Sequence, residues 1–147
     1  MNHVYRPELS ITSPALYAEL PMHDIGSIIT LFLSSPAHRH MTLTDFEATF
    51  LPAIRLEQYR LFSAPSQPVG VAFWAFVSDA VAENLMRGIK QLAPHQWRCG
   101  RELWLVDVIA LHDDEEAMID DLKVSVFPQT PVNFVDVVSE RSIKRTA

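Results

Sequence analysis

Asp107 stands out for its surroundings. It sits in the run Glu102–Leu111, ELWLVDVIAL, where its neighbours on both sides are apolar. Strand alternation places Leu103, Leu105, Ile109 and Leu111 on its side of the pleat and Trp104, Val106 and Val108 on the other. Neither face reads as solvent. A carboxylate left unpaired there would be heavily penalised by desolvation. Two readings follow: a structural aspartate tied to a backbone N–H, or a perturbed carboxylate in an active site. The second chemical residue is His38, in the segment SSPAHRH. Pro36 pushes Ser35 out of the helical region, so the segment forms a fixed corner. A histidine on such a corner is placed to move protons near neutral pH, and equally can be an ordinary polar surface residue.

Other polar residues carry less. His40 is a weaker candidate than His38. His3, His23, His95 and His112 lack the spacing that would assemble a metal site. Cys99, in QWRCGR, lies between Arg98 and Arg101, which could acidify its thiol; an incidental cysteine is the plainer reading. No GxGxxG, phosphate-loop or GxSxG pattern occurs, and there are four glycines in all. That weakens nucleotide-fold enzymes and serine hydrolases of the elbow type. Phe73, Trp74 and Phe76 cluster on one strand, as core or as the wall of an apolar groove.

The elements that must position these residues can be read from periodicity. Residues 1–20 read as an irregular arm with Pro7 and Pro14. Ile25, Ile28, Ile29 and Phe32 form one helical stripe over 22–33. A second helix starts at Thr42 or Thr44, with Phe46, Phe50 and Ile54 inward, and Pro52 ends or bends it. Residues 57–63 and 69–77 read as a hairpin around APSQP. Ser78 or Asp79 caps a third helix that carries Val81, Leu85, Ile89 and Leu92 on one face, with Arg87 and Lys90 along it, closed by Pro94. Glu102–Leu111 becomes the central strand because it is apolar on both faces. An acidic helix over 113–126 and a strand over 133–139 complete the order. The pattern predicts one α+β or three-layer α/β domain over 1–147, with a central, mostly antiparallel sheet flanked by helices.

Composition narrows the function. The chain has 147 residues, 48% hydrophobic and 20% charged, and a net charge of −6. A wholesale nucleic-acid-binding face is disfavoured by that charge. One cysteine permits no internal disulfide and suits a reducing compartment. The first residues show no basic segment followed by an apolar run, and no stretch is long enough to span a bilayer. A cytoplasmic protein without stable membrane insertion is the expectation.

Four segments in order give a family resemblance: SSPAHR around His38, LPAIRLEQY at 51–59, PVGVAFWAFVS at 68–78 and QWRCGRELWLVDVIA at 96–110. Together they resemble the RTX toxin-activating lysine acyltransferases, the hemolysin-activating type, from about residue 25 to 138. The resemblance implies a fold related to the GNAT acetyltransferases, a homodimer, no bound cofactor, an acyl-carrier-protein thioester as donor and internal lysines of a protoxin as acceptors. It places the essential histidine on His38, the essential aspartate on Asp107 and an implicated serine on Ser35. Because the carrier is acidic, Arg39, Arg87, Lys90 and Arg98 are candidates for its docking. The sequence departs from the family at Thr49, where asparagine is common, and at Leu111–Asp113, where the family has Pro-Phe-Gly. Two rival readings are a degenerate protein-binding relative without catalysis and a GNAT-type N-acetyltransferase using acyl-CoA.

Overall fold

The computed structural model describes residues 19–136 and 143–146. The irregular arm expected over 1–20 therefore lies almost wholly outside the described residues. Helix α1 spans Met22–Ser34 and buries Ile28, Leu31 and Phe32. It stops where Pro36 requires, with Ser35 extended at φ −93° and ψ 120°. Thr42 caps α2 (Leu43–Thr49) by accepting the Asp45 N–H at 3.1 Å. Pro52 marks a break in the helical run, which falls at Phe50. The proline lies in the first turn of a separate short helix, α3 (Leu51–Arg55), where its missing N–H costs nothing.

Strands β1 (Tyr59–Ala64) and β2 (Gln67–Val77) form the expected hairpin. Helix α4 covers Asp79–Met86, shorter than its apolar pattern suggests. Gly88, at φ 82°, turns the chain out. Its N–H donates to Leu85 O at 2.9 Å and the Ile89 N–H donates to Asn84 O at 3.0 Å, the paired bonds of a Schellman ending. Arg87 is thus the cap and Lys90 lies beyond the helix; Ile89 is exposed while Leu92 packs in the core. A 3₁₀ turn at Pro94–Trp97 leads into β3 (Glu102–Ala110). Helix α5 (Glu115–Ser125), β4 (Asn133–Asp136) and β5 (Ile143–Thr146) follow. The expected strand over 133–139 is described only to Asp136, and β5 was not anticipated.

The five strands lie in sequence order, β1-β2-β3-β4-β5, with β3 in the centre. Three pairings are antiparallel and β3–β4 is parallel, so the sheet is mixed. Helices cover both faces. One core joins Phe32, Phe50, Ile54 and Leu85 to Phe73, Trp104, Val106 and Ile109. The other joins Ile119 and Leu122 of α5 to Trp74, Leu103 and Leu105. The domain is α+β, with layers on either side of the sheet.

Buried Gln58 stitches these parts together. Its Nε2 donates to the carbonyls of Trp74 and Trp97, each at 3.0 Å, and its Oε1 accepts from Arg98 Nε at 2.8 Å. Tyr59 donates to Asp24 at 2.6 Å and ties β1 to α1; burial and that carboxylate push the phenol well above its usual range. Gln58→Leu strands two carbonyls and one guanidinium N–H. The expected cost is about 3 kcal/mol of stability, read as a lowered urea midpoint with an unchanged m-value.

Candidate active site

The Asp107 side chain reaches the α1 side of the sheet through an irregularity in β3. From Gly70↔Ala110 to Phe73↔Asp107 the β2–β3 register is regular; the next pair is Trp74↔Leu105. Val106 is therefore an extra residue with no partner on β2, a β-bulge. Upstream, Trp104 and Val106 pack on the α1 side and Leu103 and Leu105 on the α5 side. After the bulge the phase is reversed, and Asp107, Ile109 and Leu111 stand with Val106. This corrects the alternation expected from sequence: Leu103 and Leu105 are on the opposite face from Asp107.

The Ser-Pro corner delivers the partner. The Ser35 carbonyl accepts the N–H groups of His38 at 3.0 Å and Arg39 at 2.9 Å, which closes a turn and fixes the ring direction. His38 packs against Phe32, with ring centroids 4.9 Å apart, and more loosely against Phe50 at 6.4 Å. Its Nε2 lies 2.8 Å from Asp107 Oδ2, and its Nδ1 lies 2.7 Å from Ser35 Oγ. The His38 and Asp107 side chains are 10% and 11% exposed, so the pair is largely withdrawn from water. A carboxylate can only accept, so Nε2 carries the proton toward Asp107; Nδ1 then accepts the Ser35 hydroxyl. Asp107 Oδ1 accepts the Val108 N–H at 2.9 Å and faces Lys90 Nζ at 3.8 Å. Asp107 thus has both a backbone partner and a histidine partner.

Two clefts meet at this cluster. The first, about 540 Å³, opens where β3 and β4 part: their ladder is limited to Trp104↔Asn133. Its walls include Val106, Ile109, Leu111, Ile119, Phe134 and Val135, with Ser35 and His38 at one side. The second, about 520 Å³, is bounded by His40, Asp45, Thr49, Phe50 and Gln91. His38, Lys90 and Asp107 line both. Either volume lies within the usual range for small-ligand sites.

The remaining candidates separate. Arg39 is exposed beside His38, and Arg87 is exposed at the end of α4, three residues from Lys90. Arg98 is occupied in the Gln58 network and lines neither cleft. Cys99 also lines neither; its sulfur lies 3.3 Å from the Ser78 N and 3.7 Å from Ser78 Oγ. Phe73 packs in the α1-side core, and Trp74 and Phe76 meet Phe127 edge to face. The apolar part of the first cleft's wall is aliphatic apart from Phe134, and polar residues including Ser35, His38, Lys90, Asp107 and Glu115 complete the lining. His40 and Thr49 belong to the second cleft. Asp113, where the family has glycine, adopts φ 56°, the backbone region that glycine favours.

The profile of the RTX toxin acyltransferase family matches residues 19–146. A lysine-acyltransferase RtxC of Vibrio cholerae is 29% identical over 104 residues, covering 70% of this chain and 68% of that protein. A protein-lysine myristoyltransferase HlyC of Escherichia coli is 32% identical over 98 residues, 67% of this chain and 56% of its own length. A protein-lysine palmitoyltransferase CyaC of Bordetella bronchiseptica is 30% identical over 96 residues, 64% of this chain and 52% of its own. The chain spans little more than half the length of the latter two relatives. The chain belongs to the RTX toxin acyltransferase family.

Proposed function

We propose that this protein moves a fatty acyl group from an acyl-carrier-protein thioester to the side-chain amine of internal lysines in a protoxin. The observation that carries the reading is the hydrogen-bonded order Ser35–His38–Asp107, assembled from positions 69 residues apart at the junction of two clefts. Membership of the family and the activities for which its relatives are named support a lysine acceptor and a long acyl chain. The apolar part of the cleft between β3 and β4, with Val106, Ile109, Leu111, Ile119 and Val135, takes the chain. Beyond Trp104 the β4-facing edge of β3 lines that cleft, which suits an amide-bearing carrier arm and the GNAT-like fold that the resemblance implies.

Amide formation requires a neutral amine at the thioester carbonyl, so a base must accept a proton. Both His38 nitrogens are engaged, and Nδ1 faces Ser35. Ser35 therefore stands between the base and the cleft. In the direct route the amine proton passes through the Ser35 hydroxyl to Nδ1 as nitrogen attacks, and the departing thiolate receives it afterwards. Asp107 holds the ring and stabilises the imidazolium. A second route is favoured by the same 2.7 Å contact: Ser35 Oγ, deprotonated by His38, attacks the thioester, and the lysine then attacks an acyl-Ser35 ester.

His38→Ala should lower kcat for peptide-lysine acylation by about a thousandfold, within the range of general-base catalysis. Asp107→Asn, which keeps the shape and loses the charge, should fall by about a hundredfold or more. Circular dichroism should show both folded. Near-normal turnover by His38→Ala refutes the mechanism. Ser35→Ala separates the two routes: residual turnover of about one per cent favours direct transfer, and complete loss with a hydroxylamine-labile adduct in the native protein favours the ester.

The donor can be tested through charge. Arg39→Glu and Arg87→Glu should each raise KM for the acyl carrier thioester by roughly tenfold and flatten its salt dependence, with little change in kcat. Equal use of acyl-CoA would point instead to the N-acetyltransferase reading. Failure to turn over either donor, with retained protoxin binding, would point to a binding module.

A further inference from the structure

The chain contains three lysines, Lys90, Lys123 and Lys144, against nine arginines. One of the three stands at the cluster. Lys90 Nζ lies 3.8 Å from Asp107 Oδ1, the oxygen that His38 leaves free, and Lys90 lines both clefts. The Schellman turn at Gly88 ends α4 two residues earlier, so Lys90 sits on a short loop. Its side chain is 46% exposed, which leaves the amine room to swing. Lys123, by contrast, is paired with Asp120 on the surface of α5 at 3.2 Å.

We propose that Lys90 is itself an acceptor, and that the protein acylates its own Lys90 when no protein substrate is present; this rests on the transferase reading above. The chemistry is that of the main reaction. The Lys90 ammonium first loses one proton to solvent, and the resulting neutral amine gives a second to the Ser35–His38 relay as it attacks. Its nitrogen attacks the thioester carbonyl carbon, a C–N bond forms and the C–S bond breaks. The thiolate leaves with the bonding pair and collects the proton from His38, giving an amide and a free carrier thiol. Effective concentration favours this acceptor, because its amine is tethered within reach of the carbonyl's position. The product is neutral, so the ion pair with Asp107 is lost and the acyl chain stays in the cleft. Self-acylation therefore occupies the site.

The full chain would be incubated with myristoyl-carrier thioester alone, and in parallel with a lysine-containing acceptor protein. Intact-mass and peptide mass spectrometry would follow. One hydroxylamine-resistant acyl group is expected on Lys90, appearing at least roughly tenfold faster than on Lys123 or Lys144 and slowed about tenfold or more in His38→Ala. Lys90→Arg should remove it, and Lys123→Arg should leave it. An unmodified Lys90 in a preparation that acylates the acceptor overturns this inference alone. An equal rate in His38→Ala also overturns it, since the modification is then uncatalysed. Absence of both transfers overturns the transferase reading, and this inference with it.

Discussion

One extra residue in the central strand decides where the chemistry can be. Val106 has no partner on β2, and its insertion shifts every later side chain of β3 to the other face. Were the same residues paired in a regular ladder, Asp107 would follow Leu103 and Leu105 toward α5, across the sheet from His38. The ladder gives up regular pairing at that point. In return a carboxylate enters an apolar sheet on the side where a histidine meets it. Bulges re-aim side chains, and this one re-aims the residue on which the site depends. The same stretch of β3 borders the opening toward β4, so bulge, carboxylate and cleft belong to one local feature.

A carboxylate and an imidazole withdrawn from water are costly unless their remaining valences are met. Here they are met by short-range means. Asp107 Oδ1 takes the next residue's N–H, and His38 Nδ1 takes the hydroxyl three residues back. Phe32 and Phe50 fill the space around the ring. The ring therefore has one orientation and one arrangement of protons that satisfies both neighbours. That is preorganisation in the sense useful for catalysis, because little must be reordered when charge develops. It also means that no imidazole nitrogen is open to a substrate directly, which gives Ser35 its importance.

Much of this was readable from the sequence, and the failures have physical causes. Apolar character on both faces located β3 at the sheet centre, and Pro36 located the corner. The helical stripe of α1 and the hairpin strands followed from periodicity. Periodicity failed wherever one residue altered the phase. Val106 is an ordinary valine, and nothing in its type marks a bulge, so the face of Asp107 was assigned with the wrong neighbours. Ile89 and Leu92 continue the apolar spacing of α4, but Gly88 takes positive φ and ends the helix first. Pro52 was legible as a breaker, yet a proline serves equally well in a first turn. The contacts between residues 69 apart, and the apolar part of the cleft wall, are tertiary facts that no local window contains.

Departures from a family pattern should be weighed by backbone geometry as much as by residue type. Where the family has glycine after the aspartate strand, this chain has Asp113, and the loss of glycine suggests a loop that no longer lets backbone approach a ligand. Yet Asp113 adopts φ 56°, a conformation aspartate tolerates better than most residues. The loop keeps a glycine-like path, and Asp113 lines the mouth of the first cleft. What changes is the chemistry there: a carboxylate replaces a bare backbone. Thr49 is a similar case in the second cleft, a hydroxyl in place of an amide at a position that still faces the cavity. Both positions line a cleft, so each departure alters what the clefts present. Neither position touches the Ser35–His38–Asp107 contacts, so a change at either alters a cleft and leaves that hydrogen-bonded order in place.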